Sequence, residues 1–195
     1  MKKTMWLVAL LIVIIGTSLV VVSFKSGDIE TPDYKVVKTL GDVEIRQYPK
    51  MVVAQTSLTD RSFENQGSIG FRTIAGYIFG GNVGSQKIAM TTPVVMRMDD
   101  SSTMYFVMPK QYAKNDLPKP NSNNVRILEE SEKTLAVIGY GGFSSDEKIE
   151  KHRKKLENIL LENNINTKGA YMYMGYNAPW DVVNRRNEVA IEVVE

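Results

Sequence analysis

The sequence predicts an α+β fold made of two βαββ-like pseudo-repeats, each contributing a helix laid over a shared sheet. Three observations predict it. Runs such as Val43-Glu44-Ile45-Arg46 alternate apolar and polar residues, as strands do. Two longer stretches hold helical spacing, with Phe71, Ile74, Ala75 and Ile78 in the first and Leu156, Ile159 and Leu160 in the second. The order strand, strand, helix, strand, strand then occurs twice, at offsets of roughly 82 to 85 residues. Two such units place a pseudo-twofold axis between them and leave a cleft at their junction, where small ligands commonly sit.

The N-terminus is organised differently. Lys2 and Lys3 precede an apolar run from Met5 to Phe24 diluted only by Gly16, Thr17, Ser18 and Ser23. A helix of that length spans about 30 Å, the thickness of a bilayer's hydrocarbon core. No small-x-small cleavage site follows it. Residues 1–25 are therefore expected to be an uncleaved signal anchor, a single-pass transmembrane helix, with cleavage and secretion as the alternative. The two lysines keep the N-terminus cytoplasmic and the rest extracytoplasmic, periplasmic in a Gram-negative cell. Residues 26–33 read as a polar linker and 34–195 as the folded domain.

Within the domain, Tyr34–Leu40 and Val43–Tyr48 are strand-like and separated by Gly41-Asp42, a two-residue hairpin signal. In the second run one face is expected to be buried and the other, carrying Glu44 and Arg46, wet. Met51–Leu58 continues as strand, and Ser62–Phe79 as a helix stopped by Gly80-Gly81-Asn82. Lys87–Met98 and Thr103–Met108 read as strands, followed by a Pro- and Asn-rich loop from Pro109 to Asn124. The second repeat runs through Val125–Glu130, Leu135–Ile138, a helix from Ser145 to Asn163 with Ser144 and Glu147 at capping-box spacing, then Ala170–Met174 and Glu188–Val194. Tyr171 and Tyr173 are expected on one strand face and Met172 and Met174 on the other, either as core or as the lining of a pocket for a flat aromatic ligand.

Several function classes lack their parts. There is no cysteine and one histidine, His152, so disulfides, thiolate chemistry, a zinc site and a histidine-based triad are excluded. Gly80–Gly84 lacks the order of a phosphate loop. Setting Lys2 and Lys3 aside from 24 basic residues leaves 22 against 22 acidic ones, a neutral domain poorly suited to nucleic acid. Glu129, Glu130 and Glu132 are expected to face solvent. No catalytic or metal-binding set emerges, and the domain reads as non-enzymatic.

Three stretches add a resemblance. Tyr77-Ile78-Phe79-Gly80-Gly81-Asn82 followed by Lys87-Ile88-Ala89-Met90-Thr91-Thr92-Pro93-Val94, then Tyr176-Asn177-Ala178-Pro179-Trp180 with Arg185-Arg186-Asn187-Glu188-Val189, resemble the two signatures of the SOUL haem-binding protein family. Val43–Tyr48 is similar to that family's opening strand. The resemblance implies a distorted antiparallel β-barrel with two helices and reversible binding of haem or another porphyrin in an apolar cleft. Its walls are implied at Phe71, Ile74, Ala75 and Ile78 on the first helix and at Tyr176, Asn177, Pro179 and Trp180 on the loop before the last strand. Arg72 and Lys87 are candidate propionate partners, as are Arg185 and Arg186 unless they brace the strand edge. Some animal members carry histidine where Gln47 stands, so no axial ligand is implied here. The role expected is that of a haem carrier, buffer or scavenger. Two alternatives are a small-molecule sensor or hydrolase similar to GyrI-like domains, which would need a buried Glu among aromatics, and an interaction module whose cleft takes a partner peptide.

Overall fold

The computed structural model describes residues 29–178 and 181–194. The expected signal anchor, the first three residues of the linker, and Pro179 and Trp180 lie outside the described residues. Among the described residues, nine strands and two α-helices follow in the order β1 (Lys35–Leu40), β2 (Val43–Tyr48), β3 (Met51–Ser57), α1 (Phe63–Ile78), β4 (Val94–Arg97), β5 (Thr103–Val107), β6 (Arg126–Glu130), β7 (Lys133–Gly141), α2 (Asp146–Glu162), β8 (Thr167–Gly175) and β9 (Arg186–Val193). No described helix is long and apolar enough to cross a membrane.

All strands join one sheet in the order β1-β2-β7-β9-β8-β4-β5-β3-β6, with every named pair antiparallel. Leaving β1 aside, this order is a palindrome under exchange of the repeats. The two halves meet at the β4–β8 pair, where Val95 lies opposite Met174. The strand β2 pairs not within its own repeat but with β7, Ile45 opposite Ala136, and β6 pairs with β3, Ile127 opposite Ala54. The repeats have exchanged their first strands.

That exchange curls the sheet. Two residues, Pro49 and Lys50, connect β2 to β3, six strand spacings away in the sheet order. Six spacings measure about 29 Å in a flat sheet. Three Cα steps reach only about 11 Å. Ser131 and Glu132 impose the same demand between β6 and β7. The sheet therefore rolls into a half-barrel that β1 and β6 leave open rather than a closed barrel.

Each face of the roll has its own core. On the outer face, Ile74 and Ile78 of α1 and Ile149, Leu156 and Leu160 of α2 pack on Val43, Ile45, Ala54, Met96 and Tyr173. Burying each of these large side chains contributes about 1.5 to 3 kcal/mol. The inner face holds Tyr48, Val53, Tyr105, Leu135, Met172 and Met174. The expected alternation in β8 is present, with Tyr171 and Tyr173 outward and Met172 and Met174 inward; Tyr176 lies with the methionines.

Four local expectations are corrected. Lys87–Pro93 is not strand: Ile88 N–H donates to Ile78, Thr92 N–H donates to Glu30, and the Thr91 hydroxyl donates to Val107, so these groups bond away from a neighbouring ladder. The cap of α2 is Ser145, whose hydroxyl accepts from Lys148 N–H at 3.3 Å, while Ser144 pairs with Tyr140. Arg46 is 6% exposed because the curl covers its face of β2 as well. Glu130 is half-buried between Arg97 and Lys133.

Candidate functional site

The resemblance-implied site divides between the two faces of the sheet. Helix α1 begins at Ser62, whose hydroxyl accepts from Asn65 N–H, and lies over β3, β4 and β5. Its apolar stripe is spent on that contact: Ile74 is 0% and Ile78 1% exposed, and Ala75 is buried beside them. Phe71 is half-buried with its ring 5.3 Å from that of Phe106. Arg72 and Lys87 are exposed. Tyr176 sits on the inner face, its hydroxyl donating to Glu188 at 2.7 Å. The structure thus places the α1 wall outside the sheet and the Tyr176 side chain within it.

The loop after β8 is braced from within. Asn177 Oδ1 accepts from Arg186 N–H at 2.6 Å, and Asp181 accepts from Ala178 N–H at 3.0 Å. Arg185 donates to the carbonyls of Ala178 and Asp181 and lies over the Phe143 ring at 4.5 Å. Arg186 lies 4.0 Å over the Tyr176 ring and pairs with Glu188. Both arginines brace, which accounts for their place beside Asn187.

On the inner face Glu188, 2% exposed, accepts from Arg46 at 2.9 and 3.1 Å, from Arg186 at 2.7 and 3.0 Å, and from Tyr176. Arg46 also meets Glu44 at 2.7 Å and the Tyr48 hydroxyl at 3.3 Å, with the Tyr34 ring 4.4 Å away. Burial pushes the Glu188 carboxyl up, but Arg46, joined by Tyr176 and Arg186, outweighs it and holds the group below the usual carboxylate range. Burial raises the Tyr176 hydroxyl, and the Glu188 charge adds to the shift. This is the buried Glu among tyrosines that a GyrI-like site requires, but two guanidiniums already neutralise it. It has no free oxygen for a cationic ligand.

A cleft with about 780 Å³ of space lies at the open end of the β1–β2 hairpin, where Lys35 stands opposite Gln47. Tyr34, Tyr48, Pro49 and Val193 supply its apolar surfaces, and Lys35, Lys133 and Lys168 stand around it together with Asp33, Glu132 and Glu192. The two tyrosine rings are 5.2 Å apart and tilted by 42°. Gln47, where the resemblance implies histidine in some animal members, lines the same cleft. Lys168 pairs with Glu192 and Lys133 with Glu130, whereas Lys35 has no ion pair among the described residues. A volume in this range suits a ligand of tetrapyrrole size. Aromatic walls with lysines at the rim fit a flat macrocycle that carries carboxylates. Its donor set offers no histidine or thiolate, so the fit is to the ring and its acid groups rather than to a metal. Among the described residues no cluster of acidic, His or Cys side chains is arranged to hold a metal ion. Position 47 was visible in the sequence, but the lysines come from three separate strands and carried no local signal.

A profile described as SOUL heme-binding protein matches residues 29–192. Heme-binding protein 2 of Homo sapiens is 30% identical over 176 residues, covering 83% of this chain and 84% of that protein. Heme-binding protein 1 of Xenopus laevis is 27% identical over 154 residues, covering 75% and 80%. The fold is similar to the crystal structure of the EcmrR C-terminal domain, with TM-score 0.61 and 11% identity over 83% of this chain and 98% of that one. A hydrolase from Listeria innocua gives TM-score 0.55 at 7% identity, over 81% and 94%.

Proposed function

The chain belongs to the SOUL haem-binding protein family, and on that premise we propose that it binds haem or a related tetrapyrrole without chemical turnover, as a carrier, buffer or scavenger. The observation that carries the reading is the reach of the family match, from residue 29 to 192, through both repeats and the hairpin-end cleft. Bound there, haem would bring redox-active iron. The protein's own residues bury the ring edge against Tyr34, Tyr48, Pro49 and Val193 and set lysine ammonium groups at the propionates. Axial ligation is weak or absent in this reading.

The test is titration of the full-length chain with hemin in detergent, followed by the Soret band. Saturable red-shifted absorbance is expected, and replacing Lys35 and Lys168 together by Glu weakens it by about tenfold, or 1.4 kcal/mol. Replacing Phe71 and Arg72 together by Ala leaves affinity within about twofold. If the second pair weakens binding and the first does not, the seat lies on α1 and the hairpin-end placement is wrong. If no saturable Soret change occurs, the tetrapyrrole reading falls.

The same proposal places the domain outside the cytoplasm, held by the apolar run Met5–Phe24 with Lys2 and Lys3 inside. Carbonate extraction and protease digestion of intact spheroplasts check this. Release by carbonate, or protection of the domain from protease, overturns it.

A further inference from the structure

A second cleft, of about 470 Å³, lies on the helix-covered face of the sheet, where the N-termini of α1 and α2 meet. Its apolar surface comes from Met98 at the end of β4, Ile149 of α2, Tyr171 of β8 and Val189 of β9. Four charged residues surround this surface: Arg61, Asp146, Glu150 and Arg153.

The charges do not weigh equally. Asp146 is used in closing the two helices together, one oxygen accepting from the Ser62 hydroxyl at 2.6 Å and the other from Phe63 N–H at 2.7 Å. Glu150 is held by Arg153 at 2.6 and 2.8 Å, with Lys154 at 3.6 Å. The charge of Arg153 keeps the Glu150 carboxyl below its ordinary range. Arg153 also reaches Glu157 and lies 5.1 Å over the Tyr171 ring. Asp60, beside Arg61 in sequence, accepts from Ser62 N–H and from Gln66. Every carboxylate at this cleft is thus engaged, whereas exposed Arg61 has no ion-pair partner among the described residues. An unspent guanidinium beside a Met, Tyr and Ile surface matches an aromatic ring bearing one carboxylate, since Arg binds carboxylate bidentately and methionine and tyrosine pack against flat rings.

We propose that this cleft is a second ligand site, separate from the hairpin-end cleft, that takes a small aryl carboxylate with its ring on Met98 and Tyr171 and its carboxylate on Arg61. The internal duplication makes such a site natural. Tyr171 and Met98 come from the two strands flanking the pseudo-twofold axis, and Met98 N–H donates to the Tyr171 carbonyl at 2.9 Å. The cleft is therefore shared by both repeats.

Methionine methyl resonances test it. The full-length chain, labelled with methyl-¹³C methionine, is titrated with benzoate and, in parallel, with benzamidine as the matching cation; a Met98→Leu variant assigns the signal. Benzoate is expected to shift the Met98 methyl saturably while those of buried Met96 and Met174 stay in place, and benzamidine has no effect. Arg61→Glu weakens the benzoate response by about tenfold, and Arg61→Lys, which keeps the charge, retains part of it. Both changes are on the surface, and unchanged methyl spectra without ligand confirm folding. A Met98 methyl that does not respond to benzoate, responds equally to benzamidine, or responds undiminished in Arg61→Glu overturns the proposal. None of these results bears on the hemin titration.

Discussion

The carboxylate of Asp146 stands 2.6 Å from the hydroxyl of Ser62, joining the first residue of one helix to the cap of the other across the pseudo-twofold axis. One side chain thereby serves two helix starts: it is in the first turn of α2 and it accepts the Phe63 N–H of α1. Asp146→Ala is expected to cost about 2 kcal/mol, the range for hydrogen bonds to a charged group. Ser62→Ala costs about 1 kcal/mol as a lost cap. Because the residues touch, the double variant falls short of the sum by at least about 0.5 kcal/mol in urea unfolding. Strict additivity refutes the coupling.

Acid undoes the Glu188 network by protonating its carboxylate. Its folded pKa is depressed, so its contribution is full above the unfolded value of about 4.3 and is lost as pH falls through the folded value. Stability measured from pH 6 down to pH 2 should decline below about pH 4. Glu188→Gln flattens that decline. Glu188→Ala, which leaves two arginines facing a void, costs about 3 to 5 kcal/mol.

The turn after α1 is fixed by backbone contact. Asn82, 1% exposed, donates to the carbonyls of Tyr77 and Gln86 at 2.8 Å each and accepts from Gln86 N–H at 2.9 Å. A Cβ at Gly81 would stand 2.5 Å from the Gly76 carbonyl oxygen, with no flexible atom to yield. Gly81→Ala and Asn82→Ala are each expected to lower stability by about 2 to 3 kcal/mol. Chemical denaturation checks both, and a loss below about 0.5 kcal/mol would place the turn among tolerant surface loops. Burial pushes the nearby Tyr77 hydroxyl up to about 12, so tyrosine absorbance should show a group that ionises late.

Helix α1 approaches the sheet through Gly70. A methyl there would lie 2.8 Å from Leu58 Cδ2 and 3.0 Å from the Met104 sulfur. Both neighbours are flexible, so Gly70→Ala costs about 1 to 2 kcal/mol after they shift, a helix-propensity gain notwithstanding. Leu58→Ala in the same chain recovers part of that loss; no recovery would mean the strain lies elsewhere.

The sequence showed which residues face the core because that depends on local period. Ile74, Ile78, Leu156 and Leu160 all lie where their spacing put them. It did not show partners. Nothing within Val43–Tyr48 says that it will pair with β7 rather than β3, and nothing in Arg46 says that Glu188 will meet it 142 residues later. The one available signal was Arg46 itself, a long cation on a strand whose other side is apolar. The side on which Tyr176 lies was hidden for the same reason: the loop motif is readable, but the curl that turns its ring inward arises from turns far away in sequence. The lysines of the hairpin-end cleft were equally hidden.

The exchange of first strands bears on how the chain is made. While the N-terminal half leaves the ribosome, β2 has no partner for its inward edge and β3 lacks β6; both arrive only after residue 125. The first repeat must wait, incomplete, for the second, so neither is a folding unit by itself. Two separately produced halves, cut in the loop between Pro109 and Asn124, should each remain unstructured and yet assemble when mixed.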